Sequence, residues 1–218
     1  MKRTVLLTAL AIIVMVFSSC AGFMQKTHPD TTGWKPLFSD NLRNANYERG
    51  SWTYENGVLT RVGGGHIWTH ERYGDFILDL EYKVDKGSNS GVLLRSGNPA
   101  DYIQTSIEIQ VHDTTDGGLH GMCGAVYDCL SPSETATKPA GEWNHYTITC
   151  KANKIYVVLN GVQIIDMDLN DWNQVRINPD GTPNKFNTAM KNMPRVGNIG
   201  FQDHGDPVWF RNILIKEL

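Results

Sequence analysis

The chain is poor in the features that mark most ligand classes. No stretch carries the sustained 3.6-residue period of a long amphipathic helix, so helical bundles and helix-lined cofactor sites are excluded. Its 20 Lys and Arg are scattered among 23 Asp and Glu, for a net charge of −3. Without a basic stripe, neither nucleic acid nor an anionic membrane surface is implied as a partner. There is no internal repeat and no low-complexity segment. No Cys-x-x-Cys spacing occurs, and the one His-x-x-x-His spacing, His66 to His70, has no cysteine pair near it, so no zinc site is assigned. Nicotinamide and flavin fingerprints are also missing. Cysteine is scarce: beyond Cys20 there are Cys123, Cys129 and Cys150. Three thiols leave one over, so at most one disulfide forms. Cys123 with Cys129 is the local candidate, and Cys150 reads as a buried strand residue.

The first residues form a separate unit. Lys2 and Arg3 precede an apolar run from Val5 to Phe17, which is short for a membrane span, and Ser18-Ser19-Cys20 follows. This is the pattern of a secretory signal ending at a lipoprotein cleavage site, with an uncleaved anchor helix as the alternative. Residues 1–19 are then the signal peptide, Cys20 is the lipidated first residue of the mature chain, and residues 20–32 are a polar tether. Acyl chains anchor stably because each buried methylene contributes about 0.8 kcal/mol. The protein is expected to be exported as a cell-envelope lipoprotein, held at the outer membrane by its anchor alone. The residues after Cys20 are not acidic and give no sign of surface display, so a periplasmic orientation is expected. Residues 33–218 are long enough for one domain with a substantial core.

What that domain does have is period two. Phe76, Leu78, Leu80, Tyr82 and Val84 alternate with polar positions, as do Ile155, Val157 and Leu159. Asn160-Gly161 and Asn56-Gly57 are hairpin turns. Further strands are predicted at Gly91–Arg95, Thr105–His112, Ala125–Tyr127, Trp143–Lys151, Val196–Gln202 and Val208–Lys216. Leu169–Pro194 reads as a long excursion, with a helical turn near Asn187–Lys191. About ten short strands predict an all-β, two-sheet antiparallel sandwich of jelly-roll type, with one sheet's outer face free to form a groove.

The strand Thr105–Asp113 carries the clearest chemical signal. Ile107, Ile109 and Val111 point one way, and Glu108, Gln110 and His112 the other, about 7 Å apart. An acid, an amide and an imidazole in one row suit a polar cleft. In Asn89-Ser90-Gly91-Val92-Leu93-Leu94-Arg95, Arg95 stands in an apolar strand and needs an acid, for which Glu108 is the obvious partner. Gly141-Glu142-Trp143-Asn144 opens a strand with Trp143 read as core. Gln202 and His204 share a face opposite Phe201.

Together the segments NSGVLLR, EIQVHD, GEWNHYTI, LNG and IGFQDHGDPVWFRNI resemble, in this order, the 3-keto-disaccharide hydrolase domain family, from about Trp34 to Leu218. The resemblance implies a concanavalin A-like lectin/glucanase sandwich and cleavage of glycosides whose sugar is oxidised at C3. His112 departs from the pattern, where an aliphatic residue is expected.

Ordinary glycosidases need two carboxyl groups across the scissile bond. On this strand the row reads Glu108-x-Gln110-x-His112, and Asp113 is turned away by alternation. A 3-keto sugar needs only one base, because the ketone acidifies the C2 proton and the enolate then expels the C1 substituent. Glu108 or His204 is the candidate base, with Arg95, Gln202 or Gln110 polarising the ketone. His112 and Tyr127 are further substrate contacts, and Trp172 in the excursion is the candidate for stacking on a sugar ring. Trp68 and Trp209 are read as structural. No cofactor is assigned. Asp113, Asp116 and Asp128 leave a calcium ion open as a divalent cation, although their spacing matches no calcium loop. The oxidation at C3 requires a separate sugar 3-dehydrogenase. Two other readings are a non-catalytic, lectin-like carbohydrate-binding lipoprotein and a conventional glycosidase.

Overall fold

A computed structural model describes residues 27–113 and 121–218. The signal segment, Cys20 and Asp116 lie outside the described residues. Among the described residues thirteen strands run in the order β1 (Lys35–Pro36), β2 (Ala45–Asn46), β3 (Trp52–Glu55), β4 (Val58–Arg61), β5 (Ile67–Tyr73), β6 (Phe76–Val84), β7 (Asn89–Ser96), β8 (Ile107–His112), β9 (Asn144–Lys151), β10 (Lys154–Leu159), β11 (Val162–Asp168), β12 (Gly197–Phe201) and β13 (Val208–Glu217). A one-turn helix, α1 (Tyr102–Thr105), precedes β8. No described helix is long and apolar enough to cross a membrane.

The strands form two antiparallel sheets, as the sequence predicts. The large sheet has the order β11-β10-β9-β6-β13-β4-β3, with β1 on β13 beyond the end of β4. The small sheet has the order β2-β5-β12-β7-β8. Alternation decides which side chains meet between them. Leu78, Leu80, Tyr82, Ile148 and Phe210 of the large sheet pack with Val92, Leu94, Ile107, Ile109, Val111 and Phe201 of the small one in one buried cluster. Burying each such side chain stabilises the fold by about 1.5–3 kcal/mol. The Asn-Gly turns adopt positive φ at both residues (52° and 76° at Asn56-Gly57, 50° and 86° at Asn160-Gly161), the geometry that matches strand twist.

Two irregularities depart from the sequence reading. β5 was not predicted, because its burial does not alternate. Asn198 of β12 pairs with Arg72 while Gly200 pairs with Trp68, so β5 bulges and its side chains lose period two. The second lies in β7, where Asn198 pairs with Ser96 but Gly200 with Leu93. The extra residue puts Arg95 at φ 48° and redirects its side chain.

The excursion after β11 is not a loose loop. Trp172, expected to face a sugar, is 6% exposed and belongs to the hydrophobic cluster. Its indole N–H donates to Asn178 Oδ1 at 2.9 Å, so both its apolar body and its polar tip are used internally. Phe186 and Met190 are buried with it, and a single 3₁₀ turn forms at Met190–Asn192. Trp143, read as core, is instead half-buried on the outer face of the large sheet, beneath the Arg211 guanidinium. Cys123, Cys129 and Cys150 are separate buried thiols, so the expected local disulfide is not formed. Cys123 Sγ meets the Tyr82 hydroxyl at 2.9 Å, and Cys129 Sγ meets Met190 Sδ at 3.4 Å. Part of the expected tether is seated: His28 stacks on His145, with ring centroids 3.5 Å apart.

Candidate active site

The outer face of the small sheet is floored by two glycines. Across the sheet, Trp68, Gly200, Leu93 and Glu108 are successive cross-strand neighbours. A Cβ on Gly200 would stand 2.4 Å from the Trp68 ring, so the indole lies flat only because that position is bare. One step along the strands, Gly91 pairs with Gln110. A Cβ there would stand 2.5 Å from Glu108 Oε1. Gly91 thus gives the Glu108 carboxyl room to lie across β7.

The free edge of β8 is extended by the segment after residue 123. Gln110 N donates to Ala125 O at 3.0 Å, and Tyr127 N to Glu108 O at 2.9 Å. This register puts Tyr127 beside Glu108. Tyr102 and Ile103 of α1, Tyr127, Lys185 and His204 wall a cleft of about 230 Å³, floored by Glu108, Gln110, Gln202 and Asn89. A larger cavity of about 490 Å³ lies elsewhere, between β1 and the end of β5, and holds none of these groups.

Glu108 and Gln110 lie on the outer face yet are only 6% and 3% exposed, because the walls cover them. Burial pushes the Glu108 carboxyl above the ordinary range, opposed by Lys185, His204 and the Gln202 side chain. Burial, and then the Glu108 charge, raise the Tyr102 and Tyr127 hydroxyls, which therefore stay protonated donors. Gln110 Nε2 donates to Asn89 Oδ1 at 3.2 Å, while the side-chain oxygens of Gln110 and Gln202 have no partner. Buried acceptors are rarely left unpaired without a functional reason.

The structure brings together Glu108, Gln110, Gln202, His204 and Tyr127 of the sequence-predicted residues. His112, one step beyond Gln110, is opposite Asn89 at the end of the strand. Gln202 and His204 do not secure the following turn. Asp203 does so, accepting from Gly65 N, Gly205 N and Arg61 Nε at 2.6–2.9 Å.

Arg95 does not join the site. It is 1% exposed and bonds to Gly74 O at 2.8 Å, Ala152 O at 2.8 Å and Asp75 Oδ1 at 3.0 Å. The bulge in β7 turns it to the turn before β6 and the turn after β9, so its expected pairing with Glu108 is not formed. Lys185 Nζ takes that place, 3.7 Å from Glu108 Oε2. Lys185 was missed because it lies in the irregular excursion, where no periodicity assigns a direction. Tyr102 was also missed as a site residue, and Trp68, read as structural, is buried outside the cleft lining.

Among the described residues lining the cleft, Glu108 is the only acid. Asp113 and Asp128, considered for calcium, each give an oxygen to a backbone amide, of Gly87 and Lys185 respectively. On the opposite side of the molecule His28, Asp79 and His145 cluster with donor atoms within 4.8 Å. There Gly161 N–H donates to His28 Nε2, and His145 Nε2 and the Thr147 hydroxyl both meet Asp79. These bonds leave the cluster closed on itself.

Comparison with known proteins agrees with this architecture. A 3-keto-disaccharide hydrolase of Bacteroides thetaiotaomicron is 27% identical, over 85% of this chain and 74% of its own length. A candidate glycosyl hydrolase of Parabacteroides distasonis superposes with a TM-score of 0.82 at 40% identity, covering 85% of this chain and 99% of that one. The carbohydrate-binding module CBM66 of Bacillus subtilis shares the fold alone, at TM-score 0.52 and 12% identity over 83% of this chain and 99% of that one. The Bacteroides and Parabacteroides relatives support a glycoside-cleaving, glycosidase-type enzyme. The profile of the 3-keto-alpha-glucoside-1,2-lyase-like domain matches residues 28–216, and the chain belongs to that family.

Proposed function

We propose that this protein cleaves glycosides whose sugar carries a ketone at C3, by removing the C2 proton and expelling the C1 substituent. The observation that carries this reading is a carboxyl group in the cleft, buried and held above its ordinary pKa, with no second acid facing it among the described residues. Both retaining and inverting glycosidases of the usual kind need that second acid. The cleft of about 230 Å³ gives a sugar ring room to reach Glu108.

Glu108 accepts the C2 proton. Its raised pKa makes it a stronger base, while neighbouring Lys185 and His204 oppose the rise and favour the carboxylate. The Tyr102 and Tyr127 hydroxyls and the amides of Gln110 and Gln202 orient the ring and its carbonyl. His204, exposed at the mouth, meets the departing oxygen. Water then adds across the new C1–C2 double bond, or the unsaturated sugar leaves. A separate sugar 3-dehydrogenase supplies the ketone, and a lipid anchor at Cys20 holds the enzyme in the cell envelope, facing the periplasm.

The test is incubation of the mature chain in heavy water with a 3-keto disaccharide, beside the unoxidised sugar. Cleavage of the keto form alone, with deuterium at C2, is expected. Glu108→Gln is expected to lower turnover by at least about 10³-fold while remaining folded. Cleavage of the unoxidised sugar would establish a conventional glycosidase, and binding without cleavage a lectin-like module.

A further inference from the structure

Lys185 enters the cleft from an irregular stretch, yet two other segments hold it there. Its N–H donates to Asp128 Oδ2 at 2.6 Å, and Asp128 sits at φ 64°, in the left-handed region that few side chains adopt. Its C=O accepts from Gln104 Nε2 at 3.0 Å, and Gln104 Oε1 accepts from Asn187 N–H at 2.8 Å. One amide side chain from α1 thus grips the backbone on both sides of Phe186. The Lys185 ammonium lies 4.3 Å from the Tyr127 ring centroid and 5.4 Å from that of Phe186.

A lysine held this firmly would be expected to close on its carboxylate. It stops 3.7 Å from Glu108 Oε2, beyond hydrogen-bond distance. The pairs that anchor the surrounding structure do close: Arg61 to Asp203 at 2.6 Å and Arg95 to Asp75 at 3.0 Å. Lys185 is the only Lys or Arg among the described residues lining the cleft. So loose a pair leaves the ammonium free to turn toward an oxygen placed beside Glu108.

We propose that Lys185 is a catalytic residue whose ammonium binds the C3 oxygen as negative charge develops there, with Asp128 and Gln104 as its positioning residues. This rests on the 3-keto reading above. In the step, Glu108 takes the C2 proton and the C2–H electron pair becomes the C2=C3 bond. The carbonyl π pair moves onto O3, where Lys185 holds it. The pair then returns to re-form C3=O, C1=C2 forms, and the C1–O bond breaks with its electrons going to the leaving oxygen. No oxidant or reductant is needed.

The experiment uses a 4-nitrophenyl 3-keto-α-glucoside, following nitrophenolate release and C2 deuterium exchange. Lys185→Met is expected to lower kcat and exchange together by roughly 10²–10³-fold, the usual loss for an oxyanion donor, with KM little changed. Lys185→Arg should recover part of that loss, and ethylammonium should partly restore Lys185→Ala. Asp128→Ala should lower kcat while Asp128→Asn, which keeps an acceptor for the Lys185 N–H, largely retains it. Because Lys185 depresses the Glu108 pKa, its removal should also move the acid limb of the rate profile to higher pH. A folded Lys185→Met that keeps wild-type kcat within threefold, or loses only KM, would overturn the assignment and leave the 3-keto reading intact. Failure of the wild type to exchange or cleave any 3-keto glycoside would overturn both.

Discussion

The outer faces of the two sheets carry similar residues and use them oppositely. On the large sheet, Lys83 lies over the rings of Trp143 and Trp209 at 5.3 and 4.6 Å, Arg211 pairs with Glu81, and Asp79 binds His145 and Thr147. There the charges pair and the indoles are capped by cations. On the small sheet, Glu108 faces a lysine that stops short of it, and two amide oxygens have no partner. Both faces mix aromatics with charge, so residue type alone does not distinguish them. Close pairs hold the structure on one face, whereas on the other the loose Lys185–Glu108 pair and the two partnerless amide oxygens are poised for a ligand.

This contrast yields substitutions that should separate turnover from stability. Of the three positions compared below, Gly91 carries the largest expected effect on turnover. Gly91→Ala puts a methyl group where Glu108 Oε1 now lies and displaces the carboxyl. Turnover per folded molecule should fall by roughly 10²-fold, as for a displacement of about 1 Å in a reacting group, at a stability cost of only about 1–3 kcal/mol. A Gly91→Ala enzyme with normal kcat would mean the carboxyl position is not critical.

Arg95 should behave in the reverse way. Arg95→Met strips donors from Gly74 O, Ala152 O and Asp75, and should destabilise by about 2–4 kcal/mol. That corresponds to a thermal midpoint lower on the order of 10 °C. Its kcat below the transition should equal the wild type's, and a kcat loss at unchanged midpoint would return Arg95 to the catalytic set.

The smallest effect is at the seated N-terminal segment. Burial, together with the neighbouring His145, lowers the His28 pKa from 6.5 to about 4. Below pH 6.5 the unfolded chain takes up a proton that the folded chain refuses, so stability falls between pH 6.5 and about 4. Thermal melts across that window should flatten in His28→Asn, with catalysis unaffected. An unchanged slope would assign the acid sensitivity to other groups.

Much of this molecule was legible as period two. The alternation in β6, β8 and β10, and the two Asn-Gly turns, follow from local rules in which each residue's direction depends only on its neighbours. The same rule put Glu108 and Gln110 on one face before any partner strand was placed. It failed at two places where the chain adds residues to a strand of the small sheet. The bulge in β7 sent Arg95 away from Glu108, and the bulge in β5 hid the strand that carries Trp68. It also could not say that Trp172 turns inward while Lys185, in the same excursion, turns to the cleft, because an irregular segment has no period. Burial of an outer-face carboxyl, and hence its raised pKa, depends on walls brought from α1, from the edge segment of Tyr127 and from the excursion. Local alternation thus set which way Glu108 points. Only long-range packing decided that a lysine would stand beside it, and how far away it would stop.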